Sequence, residues 1–330
     1  MRRWFTVFLA LVALAAVLAV GCGGGEKKNG ENASTGGGDK ELTAQQIVDK
    51  SQAAMQGIKS ASFALDLSLA IKGDTAKMTD EQVKTIAQSP ITIQGQGKVG
   101  NEPQKADLGI NAKFAGQSLD IGLRMDADKI WVQFMDAWYE VPKDMLTGAI
   151  AGASPAPTES PGALTQQLQE QLSSMGLDPA KWSKELTLVG TESLDGAETY
   201  HVKQAIDVST MVDDVLKASG SLSALTGDTS ATDPEEMQKA AQALKESLKD
   251  LTVDYWYEKD TFLMRKTAVA VNLDFTGQAE AQAEGVDAIE LAFTLSMADF
   301  DKPVTVEVPA DVKPFDQLMN ALMSSGALNL

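Results

Sequence analysis

Phe63-Ala64-Leu65-Asp66-Leu67-Ser68-Leu69-Ala70-Ile71 decides how this chain folds. Every second residue is large and apolar, and those between are small or charged. Successive side chains of a β-strand point to opposite faces. This period therefore puts Phe63, Leu65, Leu67, Leu69 and Ile71 on one side of a sheet and leaves the other side to water. A half-buried antiparallel strand reads this way.

The same alternation recurs on both sides of later turns. Ile91, Ile93 and Val99 resume it. Ala106, Leu108, Ile110, Ala112 and Phe114 are opposed by Lys105, Asp107, Asn111 and Lys113. Beyond a Gly116-Gln117 turn come Leu119, Ile121, Leu123 and Met125, opposed by Asp120, Gly122, Arg124 and Asp126. Ile130 to Phe134 and Trp138 to Val141 read as short strands, ended by Pro142. Leu186 to Leu194 and Glu198 to Val208 flank Asp195-Gly196, a strong hairpin dipeptide. Leu251 to Tyr257, Leu263 to Phe275 and Ile289 to Met297 supply three more strands, and Val304, Val306 and Val308 an edge.

Helical periods are fewer. Thr43 caps a first helix carrying Ile47, Val48, Ala54, Met55 and Ile58, which ends near Gly57 to Lys59. Leu164, Leu168, Leu172 and Met175 mark a second. Ser209 caps a third, with Met211, Val212, Val215 and Leu216. Asp233-Pro234 opens a fourth in the favoured order of cap then proline, with Met237, Ala241, Leu244 and Leu248 on one side. Phe315 to Met323 forms the last. Residues 73–89, 143–161 and 218–232 are polar insertions between these elements.

Strands that are consecutive and outnumber the helices predict an α+β fold. Its sheet is antiparallel and strongly curved, an open half-barrel, with helices covering the concave apolar face. If the helices pack tightly, the enclosed space is ordinary core; if they stand off, it is a cavity. The cavity would be lined by Phe63, Leu65, Leu67, Leu69, Ile110, Phe114, Ile121, Leu123, Met125, Val269, Val271, Phe293 and Leu295. The chain holds 13 methionines, and methionine lines adaptable apolar sites as readily as it fills cores.

The N-terminus speaks of export. Met1-Arg2-Arg3, an apolar run from Trp4 to Val20, and Gly21-Cys22-Gly23 have the organisation of a secretory signal peptide. Ala19-Val20-Gly21-Cys22 resembles a bacterial lipobox, in which cleavage before the cysteine leaves it acylated at the new N-terminus. Ala19 stands where the usual box has leucine. Residues 1–21 are thus read as signal peptide and 22–41 as a flexible tether on lipidated Cys22. Residues 42–330 are read as a single domain on the extracytoplasmic face of the cell membrane. The Gly-rich, polar tether reaches about 20–25 Å.

Composition narrows the function. The formal net charge is −18, and loss of Arg2 and Arg3 with the signal peptide makes it −20. Such a surface repels nucleic acid and anionic headgroups. One histidine and one cysteine are too few for zinc, haem or iron–sulfur chemistry, so no cofactor is expected. Any serine or cysteine hydrolase would have to use His201, which sits in a strand pattern. Asp126/Asp128 and Asp213/Asp214 are adjacent carboxylates of the kind usually solvated, and no nucleophile–base set accompanies them. The chain reads as a non-enzyme. Trp131, Trp138, Trp182 and Trp256 are candidates to ring a cavity mouth.

Several stretches carry a family likeness. They are Leu42-Thr43-Ala44-Gln45-Gln46-Ile47-Val48-Asp49-Lys50, Lys59-Ser60-Ala61-Ser62-Phe63, Lys129-Ile130-Trp131-Val132-Gln133 with Trp138-Tyr139-Glu140-Val141-Pro142, Asp195-Gly196-Ala197-Glu198-Thr199-Tyr200-His201-Val202, Val253-Asp254-Tyr255-Trp256-Tyr257 with Arg265-Lys266, and Phe300-Asp301-Lys302-Pro303-Val304. In this order they resemble the LppX/LprA/LprF/LprG family of bacterial lipoproteins, from about Leu42 to Pro309. The resemblance implies a half-barrel like that of the LolA-type carriers. It also implies a hydrophobic cavity that takes acyl chains such as palmitate, and a role in binding or moving lipids and glycolipids through the envelope, with a transporter or other protein as possible partner. It brings no catalytic residues. A sensory or protein-interaction lipoprotein with a filled core is the alternative.

Overall fold

The computed structural model describes residues 42–101, 103–127, 129–142, 173, 176–226, 234–248 and 251–325. The signal peptide, Cys22, the tether, the 143–161 insertion, Asp128 and all but one residue of the expected Leu164–Met175 helix lie outside them.

Twelve strands and six α-helices are present among the described residues. In chain order they are α1 (Ala44–Gln56), β1 (Ser60–Gly73), α2 (Glu81–Gln88), β2 (Ile91–Asn101), β3 (Gln104–Phe114), β4 (Gln117–Asp126), β5 (Lys129–Phe134), β6 (Ala137–Glu140), β7 (Ser183–Leu194), β8 (Ala197–Ile206), α3 (Val208–Thr226), α4 (Pro234–Ser247), β9 (Thr252–Glu258), β10 (Met264–Asp274), α5 (Ala279–Ala283), β11 (Val286–Ala298), β12 (Val312–Lys313) and α6 (Phe315–Ser325). The chain divides into two compact units, Met1–Met55 with Gln169–Gly277, and Gln56–Leu168 with Gln278–Leu330.

The second unit holds eight strands in the order β12-β6-β5-β4-β3-β2-β1-β11. Its pairs are antiparallel except β12 with β6. The first unit holds β10-β9-β8-β7, antiparallel throughout. Neither set closes on itself. The fold is α+β with an open antiparallel sheet, as the alternation predicts.

Local chemistry places the ends. Thr43 and Gln46 cap α1 reciprocally: Gln46 N–H donates to Thr43 Oγ1 (3.2 Å) and Thr43 N–H to Gln46 Oε1 (3.0 Å). Asp80 caps α2, accepting from the backbone of Gln82 and Val83. Asp195 and Gly196 have φ of 51° and 82°, the left-handed pair that a two-residue hairpin needs.

Three expectations need correction. The cap of α3 is Asp207, two residues before Ser209: its carboxylate accepts from Thr210 N–H at 3.1 Å and Thr210 Oγ1 at 3.0 Å. A carboxylate there also favours the positive helix end. Residues 218–226, expected as loop, continue α3. Val304, Val306 and Val308 form no strand. Their segment instead runs over the polar side of β2–β4. Val304 there meets Gly100, and Glu307 O accepts from Arg124 Nη1 at 3.0 Å.

Candidate functional site

Register turns the alternating sequences into one surface. Residues directly opposite in paired strands share a face. Leu65 lies opposite Leu295 on β11 and Gly95 on β2; Gly95 lies opposite Ile110, and Ile110 opposite Ile121, which faces Phe134. The next row reads Met297, Phe63, Gly97, Leu108, Leu123, Val132 and Tyr139. On the other side Phe293, Leu67, Ile93, Ala112 and Leu119 follow, then Leu291, Leu69 and Ile91. The result is a continuous apolar face across β11, β1, β2, β3, β4 and β5.

Two corners of this face are covered. Leu67, Leu69, Ile71, Ile289, Leu291 and Phe293 are buried, on the side where α2 packs against β1. At the opposite corner Ala106, Met125, Ile130, Phe134, Tyr139 and Val141 form a cluster with Leu318 of α6. Between and beyond them the face is open. Phe63, Leu65, Leu123 and Leu295 are half-buried. Ile110 and Phe114 are each 44 % exposed, and Leu119 and Ile121 each 37 %. Large apolar side chains gathered on one face at that exposure are an unusual use of surface.

Eleven of the thirteen cavity candidates therefore share this face: Phe63, Leu65, Leu67, Leu69, Ile110, Phe114, Ile121, Leu123, Met125, Phe293 and Leu295. Val269 and Val271 belong to the other unit, where both are buried and Val269 lies opposite Val253. Leu119 and Leu108 belong to the same surface and follow from the same period of two. Gly95 and Gly97, also on it, carry no hydrophobic signal that a scan would register.

The tryptophans do not ring a mouth. Trp131 is 2 % exposed and Trp182 1 %. Trp131 is on the polar side of β5, opposite Arg124 and Glu140. Trp182 donates its Nε1–H to Asp214 Oδ2 at 3.0 Å. Trp138 stacks under the Arg124 guanidinium at 4.7 Å.

His201 and the acidic pairs are tied into local contacts. His201 Nε2 is 2.7 Å from Asp254 Oδ1, its Nδ1 is 3.3 Å from Glu192 Oε1, and its ring stacks on Trp256 at 4.6 Å. Trp256 Nε1–H donates to the same Glu192 oxygen. Asp126 pairs with Lys105 at 3.4 Å, and Asp213 with Lys245 at 2.6 Å. Among the described residues no group of three or more His, Cys, Asp or Glu is placed to hold a metal ion, and no helix is long and apolar enough to cross a membrane.

A model for a family of unknown function, DUF6612, matches residues 43–193. No curated protein matches the sequence significantly. Among solved structures the chain is similar to the lipoprotein LppX of Mycobacterium tuberculosis, with 15% identity, a TM-score of 0.36, and coverage of 79% of this chain and 96% of that one. It is similar to LprF from Mycobacterium bovis, with 13% identity, a TM-score of 0.39, and coverage of 81% and 97%. A LolA superfamily protein from Nitrosomonas europaea follows, with 12% identity, a TM-score of 0.20, and coverage of 82% and 96%.

Proposed function

We propose that this protein is a membrane-anchored, extracytoplasmic lipoprotein that binds the acyl chains of a lipid or glycolipid on the open apolar face of β1–β5 and β11, and carries or presents them in the cell envelope. The carrying observation is the set of Ile110, Phe114, Leu119 and Ile121, all on that face and all more than one-third exposed. Apolar surface of this kind gains free energy by leaving water. Each buried methylene contributes about 0.8 kcal/mol. Ten methylenes give about 8 kcal/mol, the free energy of micromolar binding, with no polar chemistry required. The headgroup then stays in water, and selectivity for it is weak. On a chain of net charge −18, which anionic headgroups repel, acylated Cys22 is the anchor.

The full chain, seated on donor vesicles of phosphatidylcholine that contain a fluorescent phosphatidylcholine, is expected to accelerate transfer of that lipid to acceptor vesicles at least tenfold. A rate equal to that of vesicles alone overturns the proposal and leaves the protein-interaction reading in its place.

A further inference from the structure

One glycine of the apolar face is not demanded by the fold. Gly95 is in the middle of β2, opposite Leu65 on β1 and Ile110 on β3. The alternation that gives Ile91 and Ile93 calls for a large apolar residue there. Its φ is not positive, so no left-handed backbone excludes a side chain. A Cβ built on Gly95 would meet Leu65 Cβ at 3.6 Å, and Leu65 Cδ2 and Gly109 O at 3.9 Å, which are ordinary contact distances.

Gly97, two residues on and facing the same way, is different. A Cβ there would be 2.6 Å from Leu108 Cδ2 and 2.7 Å from Asp107 O, so packing requires its glycine. At Gly95 nothing does. Glycine inside a strand weakens the strand and marks a bulge, a bend, or the close approach of a ligand or another backbone; β2 keeps unbroken register with β1 and β3 through Gly95, so no bulge accounts for it. Ile110 and Ile121, both exposed, continue the row from this notch, and Leu119 and Phe114 lead from it toward the Ala115-Gly116 turn.

Building on the acyl-chain reading, we propose that Gly95 is the seat of the ligand's hydrocarbon and sets its shape. The notch is one residue wide. Its walls are strands about 4.8 Å to either side, so a methylene on the β2 midline can reach van der Waals contact, at about 3.5–4.0 Å, with side chains on both. An unbranched alkyl chain fits between Leu65 and Ile110; a fused sterol ring rides above them.

The test uses the full chain in phosphatidylcholine vesicles containing palmitic acid with a terminal diazirine, irradiated and mapped by peptide mass spectrometry. Wild type is expected to carry adducts around Leu65 and Ile110. Gly95→Leu should lose them at least tenfold while its thermal midpoint stays level or rises. Gly95→Ala, whose added carbon meets only ordinary contacts, should show an intermediate loss and keeps the test decisive if the leucine variant does not fold. Gly109→Leu, on the opposite face, should label like wild type. A cholesterol diazirine should label the same residues poorly. Adducts at Leu65 and Ile110 that are equal in Gly95→Leu, Gly95→Ala and wild type, or cholesterol adducts there as abundant as those of palmitate, overturn the notch and leave the acyl-chain reading standing. No adduct anywhere on the apolar face of wild type overturns both.

Discussion

Ser62 Oγ donates to Asp299 Oδ2 at 2.9 Å, joining positions 237 residues apart in the chain. Beside it Lys59 N–H donates to Asp301 Oδ1 at 2.8 Å and Ser60 Oγ to Lys302 O at 2.6 Å. Two motifs noted separately in the sequence, Lys59-Ser60-Ala61-Ser62 and Phe300-Asp301-Lys302-Pro303, therefore form one clasp. It fixes where β1 begins against the bend that ends β11. The Lys302 ammonium and the Ser62 hydroxyl hold Asp299's carboxyl below the usual carboxylate range. A carboxylate with a depressed folded pKa stabilises above its unfolded pKa of about 3.9, and the benefit is lost as pH falls through the folded value. Asp299→Asn should therefore be less stable than wild type in urea at pH 7, and the two should converge as the pH falls below that range.

Asp207 behaves alike at the start of α3. Its carboxyl is held low by the Thr210 backbone N–H and hydroxyl. Asp207→Ala should cost about 1 kcal/mol at pH 7, measured by urea denaturation, with the deficit again shrinking under acid.

Gly97 and Leu108 compete for one space. Gly97→Val should destabilise by about 1–3 kcal/mol. Because the Asp107 carbonyl is as close as the Leu108 methyl, adding Leu108→Ala should recover only part of the loss.

Leu318 closes the corner formed by Met125, Ile130, Phe134 and Tyr139. Leu318→Ala should cost about 2–5 kcal/mol. Hydrogen exchange should quicken first in α6 and β6, which the helix contacts, and last in β1 and β11.

Cys22→Ser removes the only thiol of the chain. Cells fed radiolabelled palmitate should label the wild-type protein and leave the variant unlabelled; label retained on the variant places the acyl groups elsewhere.

The apolar face was legible because strand alternation is local. Phe63 to Ile71 and Leu119 to Met125 announce their own faces, and pairing in register merely joins them. What the period cannot see is partnership. Val304, Val306 and Val308 alternate as well as any strand, yet they lie over the Arg124 side of the sheet and form no ladder. Ser209 is as good a cap residue as Asp207; only the position of Thr210 decides between them. Residues 218–226, with three serines and Gly220, are helical against the propensity of those residues. Trp131 is polar-tipped by composition, but it lies on the Arg124 side of β5 and is buried there. Gly95 was invisible because a missing side chain leaves no mark on a hydrophobicity pattern. Its meaning comes from Leu65 and Ile110, neither of which is near it in sequence.

β1 is hydrogen-bonded on one side to β2, its near neighbour in the chain, and on the other to β11, where Leu67 meets Phe293. Synthesis delivers that second partner only after β2 to β10. Until then β1 is the bare edge of a six-strand layer running from β6 to β1, and non-local pairing of this kind is slow to form. A strand edge left bare in this way is a template for pairing with another chain. Closing the seam between β1 and β11 removes that edge, so the half-made layer is most open to joining its own kind before β11 arrives.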